Sequence, residues 1–298
     1  MLMLSHVKKI TLKYVMVVNG KSSRGDIKMI YSLSNFIFAF AITLFAGLST
    51  GIGSLILYKK QTFNQHFLAM SLGFSAGVMI YLSFIELLPE SRKVLEQSFG
   101  HSLGLFYTTV AFFVGIGLVA CINRLIPEAD YFKVKLASDE TTSELNHKGH
   151  QELYRIGILT MITLAIHNFP EGFASFFGGL HNTAWGLNLG FAIAIHNIPE
   201  GIAVAIPIYY ATKNKKQAIK ISFLSGLTEP IGAIVGFLFL LPFYNEMTFA
   251  ILFAVIAGIM TYISLDELIP IAEKYGEHRL VMKGFLLGMA VISVSLML

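Results

Sequence analysis

Apolar and polar positions along this chain segregate into long blocks. Eight apolar stretches stand out, at roughly residues 31–58, 67–89, 103–126, 156–178, 184–210, 219–242, 247–271 and 280–298. Most are long enough to cross about 30 Å of hydrocarbon as a helix. Lys and Arg enter them only near their ends. The pattern predicts an all-α membrane protein with eight transmembrane helices.

Composition agrees. Of the 298 residues, 55% are hydrophobic and 13% charged, about half the charged share usual in soluble domains. A soluble chain of this size would lack polar residues for its surface. Cys121 is the only cysteine, so one chain can build neither a disulfide frame nor a thiolate metal site. The formal charge of +4 does not point to nucleic acid, because the basic residues sit in short loops.

Those loops alternate. The loops after the first, third, fifth and seventh stretches hold Lys59 and Lys60; Lys133, Lys135 and Lys148; Lys213, Lys215 and Lys216; and Lys274 and Arg279. The intervening loops hold only Arg92 and Lys93. Under the positive-inside rule the lysine-rich loops are cytoplasmic. The expectation is a multi-pass protein of the cell membrane, inner or plasma, with both termini outside the cytoplasm. Residues 1–28 disagree, with six basic residues on the outer side. They read as a separate N-terminal extension, disordered or non-native, ahead of a domain at 29–298. Residues 127–154 read as a mobile, polar cytoplasmic loop, in which His147 and His150 are solvated or catch a metal in passing.

Within the apolar stretches lie Glu86, Glu171, Glu200, Glu229, Asp266 and Glu267. A charged side chain at mid-bilayer costs roughly 2.5–3.5 kcal/mol on insertion scales. Such acids usually pair with a base, and these stretches offer none. The acids are therefore protonated, in water, or matched to a cation that the chain does not supply.

Two of them belong to a duplicated motif. AIHNFPEGFA at 165–174 and AIHNIPEGIA at 194–203 agree at eight of ten positions. In each copy the His and Glu are four apart, one turn, and share a helix face. His167, His196 and Glu229 each fall about ten residues into their stretch, near the midplane. Imidazole and carboxylate are ligands for Zn²⁺, Fe²⁺ and Mn²⁺; Asn168 and Asn197 add amide oxygens. Two such helices facing each other have donors for one metal, or for two sharing the glutamates. Pro170 and Pro199 remove a helix hydrogen bond beside the ligands, which suits a path as well as a site.

A second repeat links AGVMIYLSFIELLP at 76–89 with AGIMTYISLDELIP at 257–270, alike at eight of fourteen positions. The charge topology runs the two copies in opposite directions, the mark of an inverted repeat. Glu86 then lies near the outer mouth, and Asp266 and Glu267 near the inner one.

HNFPEG and HNIPEG resemble the ZIP (Zrt/Irt-like) metal transporters, closest to the bacterial ZupT-type branch. SGLTEP, with Glu229, is similar to the family's acidic sixth span. The resemblance runs from about residue 29 to the end. It implies eight helices in a 3+2+3 arrangement with inverted repeats and a binuclear centre. His167, Glu171, His196 and Glu200 would bind one metal. Asn168, Glu171, Asn197, Glu200 and Glu229 would bind the second. It also implies import of divalent metal (zinc, iron, manganese, cobalt or cadmium) as substrate, no catalytic cofactor, and a homodimer. Two features depart from the family pattern: the cytoplasmic loop lacks a long histidine-rich tract, and the basic N-terminal extension has no counterpart among compact bacterial members.

Two other function classes fit parts of the pattern. A metal-selective channel without alternating access is compatible with acids at both mouths. An intramembrane zinc-dependent hydrolase would need a distinct general base; HExxH is absent, and the symmetric repeat supplies no such base. The topology has its own test. In a Cys121→Ser background, Glu86→Cys should react with an impermeant thiol reagent from outside and Glu267→Cys from the cytoplasm. Labelling of both from one face contradicts the inverted repeat.

Overall fold

The computed structural model describes residues 33–59, 64–125, 147–240 and 245–297. Among them every regular element is helical, and the protein is an all-α, multi-pass membrane protein. Helix α1 (Leu33–Ser54) runs on into a 3₁₀ turn, Leu55–Tyr58. Helix α2 (Gln65–Tyr81), a π-helical segment (Leu82–Leu87) and α3 (Leu88–Phe99) make one rod. Then come α4 (His101–Asn123), α5 (His147–His181) and α6 (Thr183–Thr212). Helices α7 (Lys215–Gly226) and α8 (Thr228–Leu240) are the two halves of a broken rod. Helix α9 (Glu246–Ile263), a second π-helical segment (Ser264–Leu268) and α10 (Ile269–Tyr275) form the next, and α11 (His278–Ser295) is the last described helix.

Each apolar stretch falls on one of these rods. Seven rods among the described residues are long and apolar enough to cross a membrane. The other, α5, has length to spare at 35 residues. Its opening turns, HKGHQELYR, and its HNFPEG motif make it more polar than the rest.

The boundaries differ from the sequence reading in three places. Residues 147–154 are helical rather than loop, since α5 begins at His147. His150 is no solvated loop residue, because its Nδ1 lies 3.0 Å from the Ala211 carbonyl at the end of α6. Residues 1–28 and the rest of the expected loop up to 146 lie outside the described residues. The second rod continues past residue 89 to Phe99 as a polar helix, its surface carrying the Arg92–Glu96 pair at 2.6 Å. Gly100, at φ +79°, then turns the chain directly into α4. The sixth stretch is interrupted at Leu227, just before Pro230, whose ring nitrogen cannot donate to the Gly226 carbonyl.

The rods sort into two groups. Helices α1, α5, α6 and α7–α8 pack on one another; so do α2–α3, α4, α9–α10 and α11. The groups meet where α2 lies along α6 and α9 lies along α5. In lipid, apolar burial favours no helix neighbour over the solvent, so close backbone approach at small residues decides the packing. A Cβ at Gly77 would collide with the Phe285 carbonyl oxygen, and one at Gly258 with that of Phe112. These glycines hold equal places in the 76–89 and 257–270 repeat. The equivalence extends to hydrogen bonds: the Ser83 hydroxyl donates to Met79 O and the Ser264 hydroxyl to Met260 O, both at 2.8 Å. Both copies loosen into a π-helical segment just before their proline, Pro89 or Pro270. The repeat is thus one of structure as well as of sequence.

Gly77→Ala and Gly258→Ala should each lower stability by an overpacking cost of roughly 1–3 kcal/mol. Gly117→Ala, with no atom within 4 Å of the added carbon, should instead hold or slightly raise stability, because glycine inside a helix is less favourable than alanine. Thermal unfolding in detergent reads the difference; equal midpoints for all three would show that the glycine crossings do not set the packing.

Candidate metal site

Helices α5 and α6 pack against each other along their length, and the duplicated motif lies where they meet. Both run through their prolines, Pro170 and Pro199, without a break. One turn separates the His and Glu of each motif, so both side chains share the facing side. The two helices then exchange partners. His167 Nε2 lies 3.1 Å from Glu200 Oε2, and His196 Nε2 lies 3.3 Å from Glu171 Oε2. All four residues are at most 1% exposed.

Three more groups complete the surroundings. Ser75 of α2 brings its hydroxyl to 2.9 Å from Glu200 Oε1 and 3.1 Å from His196 O. Glu229 stands in the first turn of α8, and its carboxylate accepts from the Asn197 amide. That amide also donates to Ala46 O of α1, at 3.0 Å. Asn168, Asn197 and Glu229 are fully buried. The structure therefore places all seven central residues named from the sequence in one buried region, across α5, α6 and α8.

The histidine chemistry is informative. His196 Nδ1 lies 3.1 Å from Ala192 O. A carbonyl oxygen only accepts, so Nδ1 carries the proton of that bond. A neutral ring then turns the bare lone pair of Nε2 toward the Glu171 carboxylate. Two acceptors at that separation repel unless a positive charge lies between them, either a second ring proton or a metal ion. Donation of the other ring N–H to a backbone carbonyl is the usual support of a metal-ligating histidine. Donors about 2.0–2.1 Å from one tetrahedral ion stand about 3.3 Å apart, which the two His–Glu separations match.

Open valences concentrate here. Ten buried side-chain polar atoms among the described residues have no hydrogen-bond partner, and six belong to this group: His167 Nδ1, both amide atoms of Asn168, Glu171 Oε1, Asn197 Oδ1 and Glu229 Oε2. Buried polar atoms are ordinarily paired, so the concentration marks a place built for something besides protein. Among the described residues no trio of His, Cys, Asp or Glu stands as a preformed metal cage; the donors are engaged with each other in crossed pairs.

The other acids hydrogen-bond outside the crossed pairs. Glu86, in the first π-helical segment and partly exposed, accepts from Trp185 Nε1 at 2.9 Å. Glu267, in the second, accepts from the Asn123 amide, and Asp266 beside it is exposed. Ser75, Trp185 and Asn123 went unnoticed in the sequence. A serine in an apolar helix and a tryptophan near a span end are too ordinary to signal a partner.

Comparison with known proteins places this geometry. The family model described as ZIP Zinc transporter matches residues 130–296. Over 264 residues the chain is 48% identical to the "Zinc transporter ZupT" of Chlorobaculum parvum, covering 89% of this chain and 98% of that one. The protein of the same name from Clostridium perfringens is 45% identical over 278 residues, covering 90% and 98%. That from Streptococcus mutans is 48% identical over 261 residues, covering 87% and 97%. The chain belongs to the ZIP family, whose members are transport proteins rather than enzymes, and the hydrolase alternative falls away.

Glu229 hydrogen-bonds to Asn197 and is in neither crossed His–Glu pair, so its loss should be graded. Glu229→Gln should alter the affinity and order of divalent-metal binding without abolishing it, as read by competitive calorimetry on the purified protein. Loss of binding for every metal would place Glu229 in the same primary ligand set as the histidines.

Proposed function

We propose that the protein imports divalent transition-metal ions, zinc among them, into the cytoplasm through the crossed His–Glu centre. The observation that carries the reading is the confrontation of His196 Nε2 with Glu171, with Nδ1 already committed to Ala192 O. A dehydrated divalent cation resolves that confrontation and neutralises carboxylates that, among the described residues, pair only with histidine. The names of the relatives, zinc transporters over nearly their whole length, support zinc as a substrate. The ligand set itself suits iron, manganese, cobalt and cadmium as well.

In this reading His167, Glu171, His196 and Glu200 hold one ion. Asn168, Asn197 and Glu229 hold a second, which shares Glu171 and Glu200. The glutamates are the central elements, because a carboxylate has two oxygens and can face two ions. Glu86 at the outer mouth and Asp266 with Glu267 at the inner mouth attract the cation while it keeps part of its water. Each is at least partly exposed, unlike the wholly buried central acids. The lysine-rich loops orient the path, with the cytoplasm on the side of Asn123 and Thr212.

A carrier fits better than an open channel. No central residue is more than 1% exposed, so an ion there is closed off from both ends. Reaching either side requires that the two helix groups rearrange.

Purified protein in liposomes should take up zinc with saturable kinetics, and other divalent metals should compete. Glu171→Ala and Glu200→Ala should each abolish uptake while the protein stays monodisperse in detergent. His167→Ala and His196→Ala should be nearly as severe. Near wild-type uptake in either glutamate variant would end the proposal of a shared bridging carboxylate.

A further inference from the structure

The first rod carries a feature that the duplicated motif does not account for. Residues 47–53 read GLSTGIG and residues 226–232 read GLTEPIG, the same at four of seven positions. The match puts Thr50 where Glu229 stands. The structure repeats it contact by contact. A Cβ at Gly47 would collide with the Gly226 carbonyl oxygen, and one at Gly226 with that of Gly47. The position of a Gly201 Cβ is taken by Thr50 O, and that of its motif equivalent Gly172 by Glu229 O. Gly53 faces Ile198 O in the same way that Gly232 faces Phe169 O. Ser49 donates to Ala46 O at 2.5 Å, and its equivalent Thr228 to Ser225 O at 2.6 Å. One pseudo-twofold relation therefore exchanges α1 with α7–α8, and α5 with α6.

Under that relation Asn197 maps onto Asn168 and Glu229 onto Thr50. The charged half is satisfied, since the Asn197 amide donates to Glu229 and to Ala46 O. The other half is open. Thr50 is fully buried, and its hydroxyl has no partner. Asn168 is fully buried, and neither of its amide atoms has a partner. A helical threonine ordinarily satisfies its hydroxyl on a carbonyl one turn back. Thr43, earlier in the same helix, does so with Ala39 O at 3.0 Å. Thr50 does not.

We propose that Thr50 is a further cation-ligating residue, its hydroxyl forming with Asn168 a neutral-oxygen half-site that mirrors the charged half-site of Glu229 and Asn197. The inference rests on the transport reading above and adds to it a residue that sets substrate affinity. The ligand is a partly hydrated divalent cation. A hydroxyl and an amide oxygen hold it by dipoles alone, so this half binds weakly. An acid here as well would bury a fourth carboxylate beside Glu171, Glu200 and Glu229. The chain places its charge on one side of the axis and a releasing, neutral step on the other.

Thr50→Val removes the hydroxyl at nearly constant shape, and Thr50→Ser keeps it. Zinc uptake by the Val variant in liposomes should show KM raised about fivefold, the scale of one neutral polar contact, with kcat little changed. The Ser variant should match wild type. Calorimetry of zinc binding in detergent should follow the same order, independently of flux. The exchange Thr50→Glu with Glu229→Thr should recover uptake lost in Glu229→Thr alone, because the relation makes the two places equivalent. Unchanged KM and zinc affinity in Thr50→Val, or an exchange variant no better than Glu229→Thr, would overturn the assignment. Wild-type liposomes that take up no divalent metal would instead sink the transport reading.

Discussion

Carboxylates set below the reach of water, with no Lys or Arg paired to them among the described residues, are the constraint on which this structure turns. Glu171, Glu200 and Glu229 are wholly buried, and their ion-pair partners among the described residues are histidines alone. If all three ionise they carry three negative charges, and two imidazolium rings return only two. A buried charge is tolerated when paired and fully hydrogen-bonded. Here the pairing is partial, and open atoms crowd into one region. A folded protein keeps such an arrangement when a mobile positive charge completes it. The proposed ion is that charge, and the same incompleteness that binds it keeps the binding reversible.

Holding such a centre requires helices closer than side chains normally allow. Backbone carbonyl meets glycine at each critical crossing, Gly201 on Thr50 and Gly172 on Glu229 among them. Every such contact brings a helix carrying donors within reach of its neighbour. The Asn197 amide can span from Ala46 of α1 to Glu229 of α8 only because α1 and α7–α8 cross glycine on glycine. Packing and chemistry are therefore one problem in this fold, and the internal repeat solves it twice with one set of contacts.

Much of this was legible in the residues. Blocks of 20 or so apolar residues gave the rods, because in lipid only a helix satisfies its own backbone. The duplicated HNxPEG gave the centre, because a four-residue spacing fixes which side chains share a face. Helix irregularities were less visible. Nothing in LSFIEL or SLDEL marks a π-helical segment except the proline that follows. The break at Leu227 needs both Pro230 and the approach of Gly47, and the second lies far away in sequence. The start of α5 was placed late, because HKGHQELYR is polar enough to read as loop. Partners supplied by a second helix were hidden altogether. Ser75, Trp185 and Thr50 are ordinary residues for an apolar helix until the structure shows what they face.

The two halves of the molecule share a backbone plan and differ in what they hang on it. Ser75 supports Glu200, whereas the equivalent place in the other half is Ile256, a buried hydrocarbon that can donate no hydrogen bond to Glu171. His196 has Nδ1 on Ala192 O, whereas Nδ1 of His167 has no partner. Glu229 confronts one asparagine, and its counterpart Thr50 carries no charge. The Nδ1 bond of His196 and the charge of Glu229 fall on the side of Asn197, while Ser75 adds a hydrogen bond to the histidine-paired Glu200. A symmetric centre would offer an ion two equal resting places and no preferred order between them. On the proposed reading, unequal donors on a common frame give the ion a tight place and a loose one, and that gradient is set by side chains alone, without any change in the fold.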